Sequence, residues 1–428
     1  MAFNTDPKLQ SEVIYSIYIR AHTEEGTFRA IIPDLDRIRA LGADWIWFLP
    51  IHPIGVKNKK GSLGCPYANR DYRATNPAYG TTEDFRALCE EIRARGMRVM
   101  IDVVYNHTSP DAVLLGEHPE FYWRDAEGKV GNKIGDWADV IDLDYRSRAL
   151  WDYQIETLKM WASIVDGFRC DVASFVPLDF WRAARAAVAE VNPDCVWLAE
   201  SVHMSYGNYA RREGFYSSRD SEAFDAFDIE YQYDVWESFE RFLGGEAPLH
   251  EWTEQLKLQE ALYRENYNKL RFLENHDQPR LCARIESVGQ QINCTAMLYF
   301  LKGTTLLYAG QEFSCTHRPS LFEREVFPRD GLDIGALLAR LAEIKKDALG
   351  CSDHFDARAD DAQGIAVMER VGEKGRVCGV FSLLDQRGFV EVPAPDGRYE
   401  ERIGGGTVLV ENGQVFCDGK PMIFTFAK

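Results

Sequence analysis

The feature that most constrains this chain is a repeated switch between apolar, strand-like runs and amphipathic helical stretches. The runs are VIYSIYI (13–19), DWIWFL (44–49), RVMIDVVYN (98–106), VDGFRC (165–170), CVWLAE (195–200), AFD (226–228), KLRFLEN (269–275) and TTLLYAG (304–310). Helical patterns lie between them around 31–41, 83–95, 149–162, 179–190 and 289–301, with a last one at 336–348 and a less regular one after the fifth run. Such alternation specifies a parallel sheet, because each strand must be carried back by a helix before the next can pair. Eight units in about 350 residues fit a closed (β/α)8 TIM barrel better than an open doubly wound sheet. No GxGxxG follows any strand, which removes the main dinucleotide-binding reading.

Two segments break the rhythm. Residues 107–148, rich in Gly, Asp and Trp, are too long for an ordinary connection after the third strand. They are expected to protrude over the carboxyl end of the barrel and form one wall of a cleft. From residue 351 the pattern changes to short alternating runs such as GIAVMERV, RVCGVFSLL, FVEVPAP and PMIFTFA, separated by Gly and Asp turns, which read as a small antiparallel β-domain. The expected division is therefore a catalytic barrel (1–106 and 149–350), an inserted domain (107–148) and a C-terminal β-sandwich (351–428). The tail has no Trp, and most of its aromatic residues, Phe355, Phe381, Phe389, Tyr399, Phe416, Phe424 and Phe426, are expected to pack against the barrel.

The formal net charge of −18 opposes binding to phosphate backbones and anionic membranes, so no nucleic-acid or membrane partner is expected. No apolar stretch approaches the ~20 residues that cross a bilayer, and the polar start MAFNTDPKLQSEV lacks the pattern of a secretory signal. The ten cysteines are scattered without a CxxC pair, as reduced thiols are in a cytoplasmic protein.

In a barrel of this type chemistry happens where the strands end. Four ends stand out: Asp102-Val-Val-Tyr-Asn106-His107 after the third run, Arg169-Cys-Asp171 after the fourth, Glu200 after the fifth, and His276-Asp277 after the seventh. One strand-end acid alone serves equally well to cap a helix or pair with an Arg. Four together repel, and that is costly unless their displaced pKa values are used. Glycoside hydrolysis uses such a set: one carboxylate attacks the anomeric carbon and one carboxylic acid protonates the leaving oxygen.

These residues also carry a resemblance. DVVYNH (102–107), GFRCD (167–171), the glutamate of WLAES (197–201) and FLENHD (272–277) resemble, in order, the four signatures of glycoside hydrolase family 13, the α-amylase family. VIDLDY (140–145) is similar to the family's motif in its inserted domain, and CPYANRDYRATNPAYGT (65–81) to its segment after the second strand. The resemblance implies a retaining mechanism with Asp171 as nucleophile, Glu200 as general acid/base and Asp277 as the carboxylate that grips sugar hydroxyls. It also implies substrate-binding roles for Tyr67, His107, Arg169 and His276. Arg169, two residues before Asp171 and so on the same strand face, can keep the nucleophile ionised, and the apolar CVWLA before Glu200 can keep its proton on. A packing role for Tyr67 stays open.

Two departures bear on metal binding. Ser174 and Phe175 stand where many members have Lys-His, the His backbone helping to hold calcium, and HTEEGTFRA occupies the place of an acidic DxNxDG loop found in some relatives. Asn106 is retained where the family's calcium site begins. No metal or other cofactor is expected. The expected substrate is a neutral α-glucan oligosaccharide such as a short imported maltodextrin. NHDQPR (275–280) resembles several oligosaccharide-directed members, which keeps α-1,6-glucosidase, glucanotransferase and sucrose- or trehalose-active chemistry open, as well as a non-catalytic binding or transporter-associated relative.

Overall fold

A computed structural model describes residues 4–135, 137–349, 352–372 and 375–427. Eight parallel strands form the barrel: β1 (Val13–Ile17), β2 (Trp45–Phe48), β3 (Arg98–Val103), β4 (Gly167–Cys170), β5 (Val196–Ala199), β6 (Ile229–Tyr231), β7 (Lys269–Arg271) and β8 (Thr304–Tyr308). Each pairs with its neighbours in sequence, and β8 returns to β1 from Val13↔Thr305 to Ser16↔Tyr308, so the ring has no free edge. Apart from Arg98 every strand residue is buried, as expected where one face fills the barrel and the other meets the helices. Gly167 is required at its place: a Cβ there would come within 2.8 Å of the Val196 carbonyl.

Helices and strands follow the sequence pattern with two corrections. The helix expected at 31–41 is divided into Phe28–Ile31, a 3-10 turn Ile32–Asp34 and Leu35–Ala40, because Pro33 has no N–H to continue the ladder. The sixth strand begins at Ile229 rather than at 226. Ala223–Phe227 is a turn, and the Asp228 carboxylate is used as a tie, accepting from Trp197 N (2.9 Å), Thr5 Oγ1 (2.6 Å) and Arg185 (2.6 and 2.7 Å). Elsewhere local chemistry sets the boundaries. Thr81 and Asp84 form a reciprocal cap at the start of helix Thr82–Ala94.

After β3 the chain leaves the barrel. His107–Thr108 pairs antiparallel with Ile141–Asp142, and this ribbon anchors an excursion that returns to helix Arg148–Ala162. Ile134 of the excursion is buried with Phe175 and Ala210, and Trp137 and Tyr206 pack beside them. This clamps the excursion over the carboxyl ends of β4 and β5.

Beyond the barrel lie two four-stranded antiparallel sheets. The boundary expected at 350/351 falls outside the described residues. The first sheet (Ser352–Asp360, Ile365–Gly372, Gly375–Ser382, Met422–Phe426) turns Phe355, Met368, Phe381 and Ile423 into the same core as the barrel. Its other face meets Val390, Val408, Val410 and Val415 of the second sheet. Arg370, fully buried, donates to the carbonyls of Phe300 (3.0 Å) and Leu349 (2.9 Å), and buried Lys345 donates to that of Tyr299 (3.1 Å). The carboxyl end of helix Val288–Phe300 is thus satisfied by side-chain N–H donors from outside that helix.

Phe355 and Phe381 pack as expected, whereas Phe389 and Phe416 do not. They are directly opposed across two strands and stand 64% and 49% exposed, because the alternation that points Val390 and Val415 inward points their neighbours out. Among the described residues no helix is long and apolar enough to cross a membrane.

Candidate active site

The site is built around one buried cation. Asp102 on β3 and Arg169 on β4 are direct partners in the strand register, so both side chains enter the barrel at one level. Arg169 Nη1 donates to Asp102 Oδ1 (2.9 Å) and Oδ2 (3.0 Å) and to Asp171 Oδ1 (2.8 Å), while Nη2 lies 2.9 Å from Glu200 Oε2. The guanidinium has no exposed surface, and the rings of Trp47, Tyr67 and Tyr231 surround it at 5.3, 5.6 and 5.3 Å. The sequence paired Arg169 with Asp171 and, through the resemblance, with the substrate. The structure gives it three carboxylates.

Backbone geometry completes the pair. Val172, directly after Asp171, sits at φ 36° and ψ 45°, a left-handed conformation that is an outlier for a β-branched residue and costs about 1–3 kcal/mol. In return its N–H donates to Glu200 Oε2 at 2.7 Å. Across the site, Asn275 Oδ1 accepts from the backbone N–H of Asp277 (2.8 Å) and Gln278 (2.9 Å), a local turn that sets Asp277 at the end of its loop.

The aromatic and imidazole groups are positioned by the same network. The Tyr67 hydroxyl donates to Asp102 Oδ2 (2.9 Å) and meets His276 Nε2 at 2.6 Å, and the two rings stack with centroids 5.4 Å apart. His276 Nε2 is also 3.1 Å from Asp277 Oδ2. His107 Nδ1 accepts from the Asn106 amide (3.2 Å), which leaves Nε2–H facing Asp171 Oδ2 at 4.0 Å.

These surroundings separate the acids. Burial raises Asp102 and Asp171 to about 6 against the pull of Arg169. Burial raises Glu200 further, to about 8, with Asp171 and Asp277 adding to the rise and Arg169 opposing it. Asp277 behaves oppositely. Desolvation would raise it, but His276 beside it and then Arg169 bring it down to about 2. Burial lowers His107, keeping the ring neutral. Near neutral pH the arrangement therefore offers a protonated carboxylic acid beside an ionised carboxylate, both on one guanidinium.

A cleft of about 310 Å³ opens over these groups, and Tyr67, His107, Asp171, Glu200 and Asp277 line it. Arg169 and His276, named from sequence as substrate-binding, are buried behind that lining. Asp102 was visible as a strand-end acid but had no role until its bonds to Arg169 and Tyr67 were seen. Val172 and the lining residues Lys60, Trp137 and Asp139 were missed, since nothing in their local sequence marks them.

The surroundings of Asn106 make a poor calcium cage. Calcium takes six to eight oxygens. Here Asp142 Oδ1 accepts from the Asn106 amide (3.4 Å) and Oδ2 from Lys133 N (2.8 Å), Asp144 is gripped by Arg146, and the Lys133 side chain lines the same hollow. Among the described residues no group of three or more His, Cys, Asp or Glu side chains is placed to hold a metal ion.

Comparison with known proteins identifies the family. A family model described as the α-amylase catalytic domain matches residues 9–125 and 134–363, and one described as the bacterial α-amylase C-terminal domain matches residues 356–424. The chain is similar to the crystal structure of an α-amylase from Lactobacillus plantarum, with a TM-score of 0.95 and 40% identity over 99% of this chain and 100% of that one. It is also similar to a noncanonic maltogenic α-amylase, AmyB, from Thermotoga neapolitana, with a TM-score of 0.87 and 30% identity over 98% of this chain and 100% of that one. Among curated proteins, α-amylase MalA of Haloarcula japonica is 27% identical over 445 residues, covering 95% of this chain. The chain spans 62% of the length of that relative, less than two thirds.

Removing the central cation should expose the repulsion it contains. Arg169→Met is expected to destabilise the fold by about 3–5 kcal/mol near pH 8, since three buried carboxyl groups lose their shared partner. Carboxyl groups raised in the folded state bind protons more tightly there than in the unfolded chain, whose values lie near 4. Stability should therefore return as pH falls from about 8 through 6 toward 5. Urea unfolding of both proteins at pH 8 and at pH 5 tests it, and an equal deficit at both would contradict the electrostatic account.

Proposed function

Because this chain belongs to the α-amylase family of glycoside hydrolases, we propose that it hydrolyses α-glucosidic bonds of short malto-oligosaccharides by double displacement. The observation that carries this reading is the placement of Asp171 and Glu200 on the two terminal nitrogens of Arg169, one acid raised to about 6 and the other to about 8. In the first step Asp171 Oδ2 attacks the anomeric carbon while Glu200 gives its proton to the departing glycosidic oxygen, leaving a glycosyl ester on Asp171. In the second, Glu200 takes a proton from water, the water oxygen attacks the same carbon, and the ester bond to Asp171 breaks. Two inversions restore the α configuration.

The other groups serve binding. Asp277, held ionised by His276, accepts hydrogen bonds from sugar hydroxyls, and neutral His107 donates through Nε2. Tyr67, fixed by Asp102 and His276, supports the ring. Arg169 and Asp102 hold the acids in register from behind. A cleft of about 310 Å³ suits a few sugar units, in keeping with short chains as substrates. We place the enzyme in the cytoplasm without a nucleic-acid or membrane partner. All nine described cysteines are free, which suits a reducing compartment.

Proton NMR of fresh maltotriose digests should show the α-anomer of the new reducing end first. Asp171→Ala and Glu200→Gln should lower kcat by at least about a thousandfold, since each removes a reacting group. First appearance of the β-anomer, or near-normal turnover in either variant, would sink the mechanism.

The pH dependence follows from the two raised acids. Asp171 must be ionised, so kcat/KM should fall as pH drops through about 6. Glu200 must carry its proton, so kcat/KM should fall again as pH rises through about 8. A profile still rising above pH 8 would contradict the assignment of the acid.

We also propose that no metal takes part. Activity on maltotriose and the melting temperature should be unchanged by EDTA. A fall restored by calcium would overturn this, since a bound ion stabilises the folded state by mass action.

A further inference from the structure

Four separate segments are tied together along one side of the cleft. The connection after β2 meets the one after β8 through Leu63 N to Phe322 O (3.0 Å) and Ser62 N to Glu323 Oε1 (2.8 Å), with Ser62 Oγ donating to Glu323 Oε2. Buried Arg20, in the connection after β1, donates to Gly64 O (3.3 Å) and Leu321 O (3.5 Å) and so holds both from beneath. The excursion after β3 joins from the other direction. Asn58 Nδ2 donates to Ala138 O (3.2 Å), and Lys60 Nζ is 2.9 Å from Asp139 Oδ1. Gly61 marks how closely the strips approach: at φ 61°, a Cβ on it would come within 2.6 Å of Phe322 Cβ.

The position of this seam in the ring gives it a meaning. Strand order runs unbroken from β1 to β8 around the closed barrel, so β1 and β5 face each other across it. The seam joins the loops after β2 and β8, the two neighbours of β1. It therefore stands opposite the end of β5, where Glu200 sits. In the mechanism proposed above, Glu200 protonates the oxygen that leaves with the reducing-end part of the chain, so that part lies on the β5 side and the non-reducing part lies toward the seam. Lys60, Asp139 and Phe322 line the same cleft as Asp171 and Asp277, which puts the seam beside the sugar under attack.

We propose that this seam closes the cleft on its non-reducing side, so that the protein takes an α-glucan chain by its free non-reducing end and does not cut within a longer chain. The inference rests on the hydrolytic reading for its orientation. The ion pair Lys60–Asp139 bridges the cleft wall from the barrel loop to the excursion and acts on specificity, not on the bond-making groups.

The test compares two 4-nitrophenyl maltoheptaosides, one with a free non-reducing end and one capped there by an ethylidene acetal across its terminal hydroxyls. The capped form should be cleaved about a hundredfold more slowly, the scale of discrimination that a closed pocket gives. In the doubly substituted Lys60→Ala, Asp139→Ala protein the capped-to-free rate ratio should rise about tenfold. Equal rates on both substrates in the unmodified protein would overturn the proposal, and an unchanged ratio in the double variant would overturn the role of the ion pair. Calorimetric binding of both compounds to Glu200→Gln separates this from the hydrolytic reading. Binding of the free compound alone, without its cleavage by the unmodified protein, would keep the closed wall and reject hydrolysis, whereas equal binding of both would reject the wall.

Discussion

Everything at the mouth of this barrel depends on a single guanidinium removed from water. Arg169 is enclosed by aromatic faces and touches three carboxyl groups that could not be buried together without it. One positive charge cannot fully compensate three negative ones, and the shortfall is distributed unevenly. Asp102 receives two bonds from the guanidinium and another from Tyr67, Asp171 receives one, and Glu200 receives a peripheral approach plus the Val172 N–H. Burial raises all three, and it raises Glu200 most, so Glu200 keeps its proton best. Division of labour between nucleophile and acid thus comes from unequal costs of burial around one shared cation.

The backbone carries part of this arrangement, and the two acids reach it by different routes. Asp277 is placed by an inexpensive device, an Asn side chain holding two consecutive N–H groups. Glu200 depends on an expensive one, a Val held in a conformation that glycine would adopt more easily. The strain is tolerated because Val172 lies between a strand end fixed by the barrel and the cluster around Phe175, which leaves the chain little room to relax.

Much of this was legible in the residues alone, for definable reasons. Barrel strands are buried on both faces, so they appear as continuous apolar runs, and polar residues at their ends stand out against that background. This is why Asp171, Glu200, Asp277 and Arg169 could be singled out, whereas their separate roles came from the resemblance to glycoside hydrolase family 13. The sixth strand was misplaced by three residues because it is short and follows a turn that is equally apolar. Phe389 and Phe416 were misjudged because alternation shows that two faces differ without showing which one meets water. Lys60–Asp139 and Val172 had no signal at all: the first is a contact between residues 79 positions apart with ordinary neighbours, and the second is a dihedral angle imposed by its surroundings.

The side-chain donors at the end of helix Val288–Phe300 bear on the order in which the chain can be completed. The barrel's last strand pairs with its first at residues 304–308, yet the carbonyl groups that end the preceding helix find their donors only at Lys345 and Arg370. During synthesis from the amino end, a barrel that has closed its ring still carries an unfinished seam until the first tail sheet emerges. The tail is thus the piece that seals the newly made barrel, and a chain cut between residues 308 and 345 would leave the Tyr299 and Phe300 carbonyls without these donors.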